Sequence, residues 1–309
     1  MTIQPVSFTL HDRDFDRFSR ELGASFERYG FAVISDHDLP QPVVDQALED
    51  TKAFFALPTE EKMKTRLAGA QGQRGYTPFG VETAKGAEHF DLKEFWHVGR
   101  ELPARHRYRD HMPDNVWPDR PAHFKEHLLG FYDALDSLGN RILRAIAHHL
   151  QLGDDFFEAT VDHGNSVLRL LHYPPVSETG PHVRAGAHED INVITLLLGA
   201  EEAGLELKER DGSWLAVNPP PGSIVINIGD MLQRLTNHVL PSTSHRVVNP
   251  APERRGHARY STPFFLHFAS DYCIRTLPGM ITPERPDRYP EPITADGYLQ
   301  ERLREIKLA

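Results

Sequence analysis

Apolar residues recur along this chain in two rhythms, and the change from one to the other divides it. Phe15, Phe18, Leu22 and Phe26 stand three and four positions apart, which puts them on one face of a helix. Gly30 follows, a residue type that commonly ends a helix, and Phe31-Ala32-Val33-Ile34 then predicts a strand. A second stripe, Val44, Leu48, Thr51 and Phe55, predicts a helix that stops before Pro58. The segment 69–86 is rich in Gly, Gln and Thr and is expected to be loop. The longest stripe passes through Phe124, Leu128, Phe131, Leu135, Leu138, Ile142, Ile146 and Leu150 and predicts a helical core spine. Aromatic stripes of this kind serve packing far more often than cofactor binding.

After residue 165 the rhythm becomes extended. Short apolar runs follow one another at Val167 to Leu171, Ile191 to Leu198, Leu205 to Leu207, Trp214 to Val217, Ser223 to Ile228, His245 to Val248 and Ser261 to Phe268. Gly, Pro and Asp separate them at intervals typical of an antiparallel sandwich. Asp211-Gly212, between two such runs, predicts a tight hairpin whose central positions both favour positive φ. Beyond Gly279 the chain is Pro-rich and ends in a short helical pattern, Tyr298 to Ile306. The expected architecture is mainly β with α, a jelly-roll core (double-stranded β-helix) flanked by N-terminal helices. Four stretches make it up: an N-terminal region of helices and strands (1–120), a helical spine (121–164), the jelly-roll (165–275) and a C-terminal tail with its helix (276–309).

Composition narrows the class. The 309 residues are 39% hydrophobic and 25% charged, near globular averages, which argues against disorder, collagen and coiled coil. Lys and Arg number 34 against 44 Asp and Glu, a formal net charge of -10. With no local basic patch, that balance argues against nucleic acid as a partner. The first residues lack a basic region followed by an apolar stretch, and no run is long enough to span a bilayer. A cytoplasmic protein with no membrane partner is therefore expected. The single cysteine, Cys273, excludes an internal disulfide, fits a reducing compartment, and reads as a small buried hydrophobe between Tyr272 and Ile274.

Three features within the β region carry chemistry. In His188-Glu189-Asp190, side chains two apart on a strand share a face, so an imidazole and a carboxylate can reach one ion. His245 completes a set of two histidines and one carboxylate, which holds a metal on one side and leaves the opposite positions open. Such a set suits non-heme Fe(II), though zinc accepts the same donors. Arg259-Tyr260-Ser261 aims a guanidinium and a hydroxyl at one side, a pair suited to a small carboxylate. A competing pair, His89 and Asp91 with His148 and His149, is set aside because the later histidines fall in the helical spine and no Arg-x-Ser follows.

The stretch Gly229-Asp230-Met231-Leu232-Gln233-Arg234-Leu235-Thr236-Asn237, with Ser244-His245-Arg246-Val247, resembles the Fe(II)- and 2-oxoglutarate-dependent dioxygenases of the isopenicillin N synthase-like superfamily. Tyr29-Gly30-Phe31, Phe54-Phe55-Ala56-Leu57-Pro58, Glu60-Glu61-Lys62, Gly75-Tyr76 and Asp91-Leu92-Lys93-Glu94 are similar to its N-terminal region. The resemblance spans roughly residues 5–300. It implies Fe(II) held by His188, Asp190 and His245, with O2 and 2-oxoglutarate as cosubstrates and ascorbate as a reductant. It implies that Arg259 and Ser261 anchor the distal carboxylate of 2-oxoglutarate and that Tyr173 lies near it. Leu171 stands where the family's Asn-Tyr-Tyr-Pro segment begins with Asn, and Thr236-Asn237-His238 varies a turn. The activity implied is oxidation of a small molecule, with hydroxylation the leading outcome. A same-fold oxidase that does not use 2-oxoglutarate, an ethylene-forming enzyme and a Zn(II) site are the alternatives.

The remaining candidates have structural readings. Asp230 is expected in a turn or as a support behind the metal ligands rather than as a ligand itself, and Arg246 on the strand face opposite His245. His172, His182, His238, His257 and His267 read as surface or internally satisfied histidines. His182 and Arg184 are the candidates for a substrate mouth, with Phe79, Phe95 and Phe264 as candidate neighbours. Primary substrate and oligomeric state are not readable from the sequence.

Overall fold

The computed structural model describes residues 2–67, 72–82, 89–175, 182–198 and 204–305. The N-terminal half contributes strands β1 (Pro5–Ser7), β2 (Phe31–Ser35), β3 (Gly75–Thr77) and β4 (Glu94–Gly99). Then come β5 (Val167–Tyr173), β6 (Ala185–His188), β7 (Ile194–Leu198), β8 (Leu205–Lys208), β9 (Trp214–Ala216) and β10 (Ile224–Ile228). β11 (His245–Val247), β12 (Arg259–Ser261) and β13 (Pro263–Leu266) close the core. One large sheet runs β1-β2-β10-β7-β13-β5-β4-β3, with β12 also paired to β5; a smaller one runs β6-β11-β8-β9. This is the jelly-roll arrangement, with the small sheet lying on one face of the large one.

Parity along each strand decides which face a residue serves. Ala32, Ile34, Trp96, Val98, Leu168, Leu170, Ile194, Leu196, Ile224, Ile226, Phe264 and Leu266 are buried in one cluster with the helices. Their odd-numbered neighbours face the small sheet: Phe31, Val33 and Val225 pack with Leu205, Leu207 and Val217, while Phe95, Leu171 and Tyr173 pack with Ala185 and Val247. The large sheet therefore has a helix-covered outer face and an inner face turned to the small sheet.

The outer cover forms as its periodicity predicts. The helix Phe15–Tyr29 is capped by Asp14, whose side chain accepts from Arg17 N at 3.1 Å. It ends at Gly30, whose φ of 67° is left-handed. The spine Phe124–His149 packs against it and also against the helix Gln41–Phe55. Phe131, Leu135, Leu138 and Ile142 on the spine are buried, each contributing about 2 kcal/mol of apolar burial. At Gly139 a Cβ would stand 2.5 Å from Leu266 Cδ1, so glycine lets the spine approach β13 closely.

Several expectations are corrected. Within 69–86, Gly75–Thr77 is a strand, paired to β4, while 69–71 and 83–86 lie outside the described residues. β4 had no readable alternation because every one of its residues is buried. The run from Ser261 to Phe268 divides into β12 and β13 on either side of Thr262. Asp211-Gly212 sits in a loop from Glu209 to Ser213 between the paired ends Lys208 and Trp214. There Gly212 alone takes positive φ, at 87°, and Asp211 accepts from Ser213 N at 2.9 Å. The last helix begins earlier than expected, at Ala295, and runs to Glu305, with Ile306 outside the described residues. Cys273 is exposed, not buried. Among the described residues no helix is long and apolar enough to cross a membrane.

Candidate active site

His188 and His245 are far apart in sequence, yet they are direct cross-strand partners in the small sheet. Opposed residues of an antiparallel pair project to the same face, and the two rings stand 4.4 Å apart by centroid. Asp190 comes in from the loop beyond β6. Among the described residues, His188, Asp190 and His245 form the one group whose ligand atoms all lie within 4.8 Å of one another. Each imidazole Nε2 is 3.8 Å from Asp190 Oδ1.

The rest of each side chain is already committed to protein. Nδ1 of His188 donates to Gly186 O at 2.8 Å, and Nδ1 of His245 donates to Thr243 O at 3.1 Å. That tautomer leaves both Nε2 lone pairs bare and convergent. Asp190 Oδ2 accepts from Thr195 Oγ1 at 2.5 Å and Asn227 Nδ2 at 2.8 Å, which leaves Oδ1 turned to the histidines. Phe31, just after the glycine turn of the first long helix, sets its edge against the His245 ring at 5.5 Å. Two bare nitrogens and one bare carboxylate oxygen fit a divalent metal with open coordination positions.

Electrostatics agree with that donor set. The His188 ring lines a cavity, and desolvation there, followed by the neighbouring His245, lowers its pKa to about 4. Burial alone would raise the Asp190 carboxyl, but His245, His188 and the Thr195 and Asn227 donors bring it below its usual range. At neutral pH His188 is thus neutral and Asp190 ionised, the forms that bind metal.

Arg259 and Ser261 lie on β12 with both side chains buried. Register pairs Arg259 with Tyr173 and Ser261 with Leu171, so all four share the inner face. The Arg259 guanidinium stands 5.0 Å from the Tyr173 ring centroid. Beneath them, Ala185 and Val247 belong to the two strands that carry His188 and His245. Arg184 is buried beside the same tyrosine, 6.0 Å from its ring, and donates to His257 O at 3.1 Å. It therefore belongs to this inner end and not to a substrate mouth.

A cavity of about 510 Å³ opens on His188 and Asp190. Phe95 lines it as expected, but Phe79 is exposed and Phe264 is outer-face core against Tyr132, at 4.9 Å; its neighbour Phe265 lines the cavity instead. His267 is a cavity residue, corrected from a surface or satisfied one, and burial holds its pKa at about 4. His182 is absent from the lining; its ring meets Phe90 O at 3.1 Å. His172 and His238 are satisfied by Glu94 and Tyr289, both at 2.7 Å. Arg246 pairs outward with Glu206 at 2.7 Å, and His148 and His149 meet Asp16 and Glu27 on the helix Phe15–Tyr29, both at 2.9 Å.

Sequence reasoning missed three contributors. Thr195 and Asn227 are opposed polar residues within apolar strands β7 and β10, and that interruption was a usable signal. The C-terminal helix supplies Leu299, Arg302 and Leu303 to the cavity wall. It is tied down where Tyr298 donates to Asp230 Oδ2 at 3.1 Å, while Asp230 N donates to Asp190 O at 2.7 Å. Asp230 thus joins the last helix to the backbone of Asp190 in the candidate metal site.

Residues 3–120 match the family described as the N-terminal domain of non-haem dioxygenases in morphine synthesis, and residues 164–268 match the 2OG-Fe(II) oxygenase superfamily. The chain is 35% identical to the proline hydroxylase buaE of Petromyces alliaceus, over 93% of each. It is 33% identical to the 2-oxoglutarate-Fe(II) type oxidoreductase hxnY of Emericella nidulans, over 91% of this chain and 82% of that one. A 2OG-Fe(II) oxygenase family protein of Caulobacter crescentus superposes with a TM-score of 0.93 at 65% identity, covering 98% of this chain and 99% of that one. A full-length protein of Neurospora crassa, solved in complex with alpha-KG, superposes with a TM-score of 0.87 at 28% identity, covering 98% and 95%. The chain belongs to the 2OG-Fe(II) oxygenase superfamily, whose members use Fe(II), O2 and 2-oxoglutarate to oxidise a second substrate.

Proposed function

We propose that this oxygenase hydroxylates a small organic molecule, with His188, Asp190 and His245 holding Fe(II) and with Arg259, Ser261 and Tyr173 holding 2-oxoglutarate. The observation that carries the reading is the convergence of three ligand atoms within 4.8 Å, each on a side chain whose other polar atom is already bonded to protein. Bound there, iron would supply O2 activation coupled to decarboxylation of the keto acid. In the overall reaction one oxygen atom enters succinate, the other becomes the substrate's hydroxyl, and CO2 leaves.

The chain's own residues orient and select. Gly186 and Thr243 carbonyls fix the histidine tautomers, and Thr195 with Asn227 aims the carboxylate. Arg259 offers a planar pair of donors and Ser261 a hydroxyl to the far carboxylate of the cosubstrate. The inner-face apolar residues around Tyr173 keep water from that charge pair. In this reading region 165–275 supplies the metal and cosubstrate site, while 1–120 and 276–309 close it. Small-molecule activity is supported by a relative named as a proline hydroxylase and by the Neurospora crassa neighbour, which is also solved with thymine bound. A reducing cytoplasm suits an Fe(II) enzyme whose single cysteine is exposed.

The test adds Fe(II) and then 2-oxoglutarate to the protein without oxygen and follows the visible spectrum. A charge-transfer band is expected, and succinate should form once air is admitted. A band-free spectrum, or oxidation of substrate without succinate, would remove the reading.

A further inference from the structure

Among the described residues, three Lys and Arg side chains line the large cavity, and they differ in how firmly they are held. Lys93 lies 2.8 Å from Asp91 and 3.1 Å from Glu82, and its side chain is 7% exposed. Arg302 lies 2.5 Å from Glu305 and 3.7 Å from Asp230. Arg169, on the inner face of β5, meets Glu82 only at 3.4 Å and is 17% exposed. Charge-assisted pairs normally close to about 2.7–2.9 Å, so this contact is loose. Among the described residues, Arg169 Nη2 has no hydrogen-bond partner.

The guanidinium is nonetheless rigidly presented. Its carbon lies 4.4 Å from the Phe95 ring centroid and 5.3 Å from that of Phe265, within cation–π range of both rings. Its Nε donates to His97 Nε2 at 2.5 Å, while His97 Nδ1 donates to Gly72 O at 2.6 Å. That chain requires a neutral His97. Burial, reinforced by Arg169, lowers the ring's pKa well below its ordinary value. With Nε occupied, the two Nη groups form the edge left for a ligand.

We propose that Arg169 binds the carboxylate of the primary substrate, which makes that substrate a small carboxylic acid. The inference rests on the oxygenase reading and adds the class of molecule oxidised. Arg169 and Tyr173 are four residues apart on an extended strand, roughly 13 Å along it. The keto acid's far carboxylate, held at Arg259 beside Tyr173, is therefore not the group Arg169 meets. An incoming carboxylate replaces only the loose contact to Glu82, because Lys93 stays paired with both Glu82 and Asp91. Leu299 and Leu303 on the C-terminal helix provide an apolar wall for the hydrocarbon part.

The test compares each acid with its primary amide, which keeps the shape and removes the charge: L-proline and L-prolinamide, L-arginine and L-argininamide, benzoate and benzamide. Binding is read anaerobically as a shift of the visible band of the Fe(II) and 2-oxoglutarate complex, and turnover as added succinate release. At least one acid should bind about tenfold or more tightly than its amide. Arg169→Gln should erase that ratio, and Arg169→Lys should retain part of it. A merely structural role would lower both affinities together and leave the ratio intact, which overturns the proposal. Amides binding as well as acids, or no acid binding at all, also overturns it. Failure of the band to form is a different result, because it strikes the oxygenase reading itself.

Discussion

The two faces of the large sheet are made of alternate residues of the same strands, yet they do opposite work. On the outer face nearly every position is aliphatic or aromatic and is sealed under the helices, as with Phe264 against Tyr132. On the inner face the same strands present Thr195, Asn227, Arg169, His97, Arg259 and Ser261. A buried polar group costs stability unless it is bonded, and these groups are held through side-chain networks such as Thr195 and Asn227 on Asp190. The outer face determines whether the sheet exists, whereas the inner face determines what it can hold.

The sharpest way to break this contrast is the adjacent pair Phe264 and Phe265. Phe264→Ala opens the outer core and should cost about 3–5 kcal/mol in chemical denaturation. Phe265→Ala, at the cavity, should cost clearly less and weaken substrate-stimulated turnover instead. Equal stability losses would erase the distinction between faces.

Next in size, Asn227→Ala removes one of two donors that aim Asp190 and should weaken Fe(II) affinity about 10–100-fold by metal titration, with little change in melting temperature. Unchanged affinity would mean that the large sheet does not orient the carboxylate. Arg259→Ala should raise the 2-oxoglutarate KM about tenfold or more, through loss of charge-assisted bonds worth about 1.5–3 kcal/mol. An unaltered KM would contradict the anchor.

The smallest effect concerns His267. Its folded pKa, about 4, lies below the ordinary value of 6.5, so the unfolded chain binds the proton more readily. Stability from this site is therefore complete above pH 6.5 and is lost as pH falls toward 4. His267→Gln should flatten that part of the stability profile without changing its neutral limb. An identical acid slope in the variant would show that His267 is not responsible.

Long helices and most strands were legible because burial on one side of a regular element imposes a period of about 3.6 or 2 on residue type. The cluster His188, Asp190 and His245 was legible as a donor set, but only part of the reasoning was geometric. Two-residue alternation describes β6 up to His188, whereas Asp190 lies past the strand and is turned by Thr195, Asn227 and its backbone bond to Asp230. β4 was illegible because a strand buried on both faces has no alternation to read.

By itself, then, the sequence determined local periods, the change from helix to sheet near residue 165, and two histidines with a carboxylate of the kind that can hold a metal. Only the tertiary structure decided that His188 would oppose His245 in register, that the final helix would wall the cavity, and that Arg169 would meet Phe95 and Phe265. Periodicity is imposed by neighbours along the chain. Sites are made by residues that meet only when two sheets close on each other, and no short stretch of sequence contains that distance.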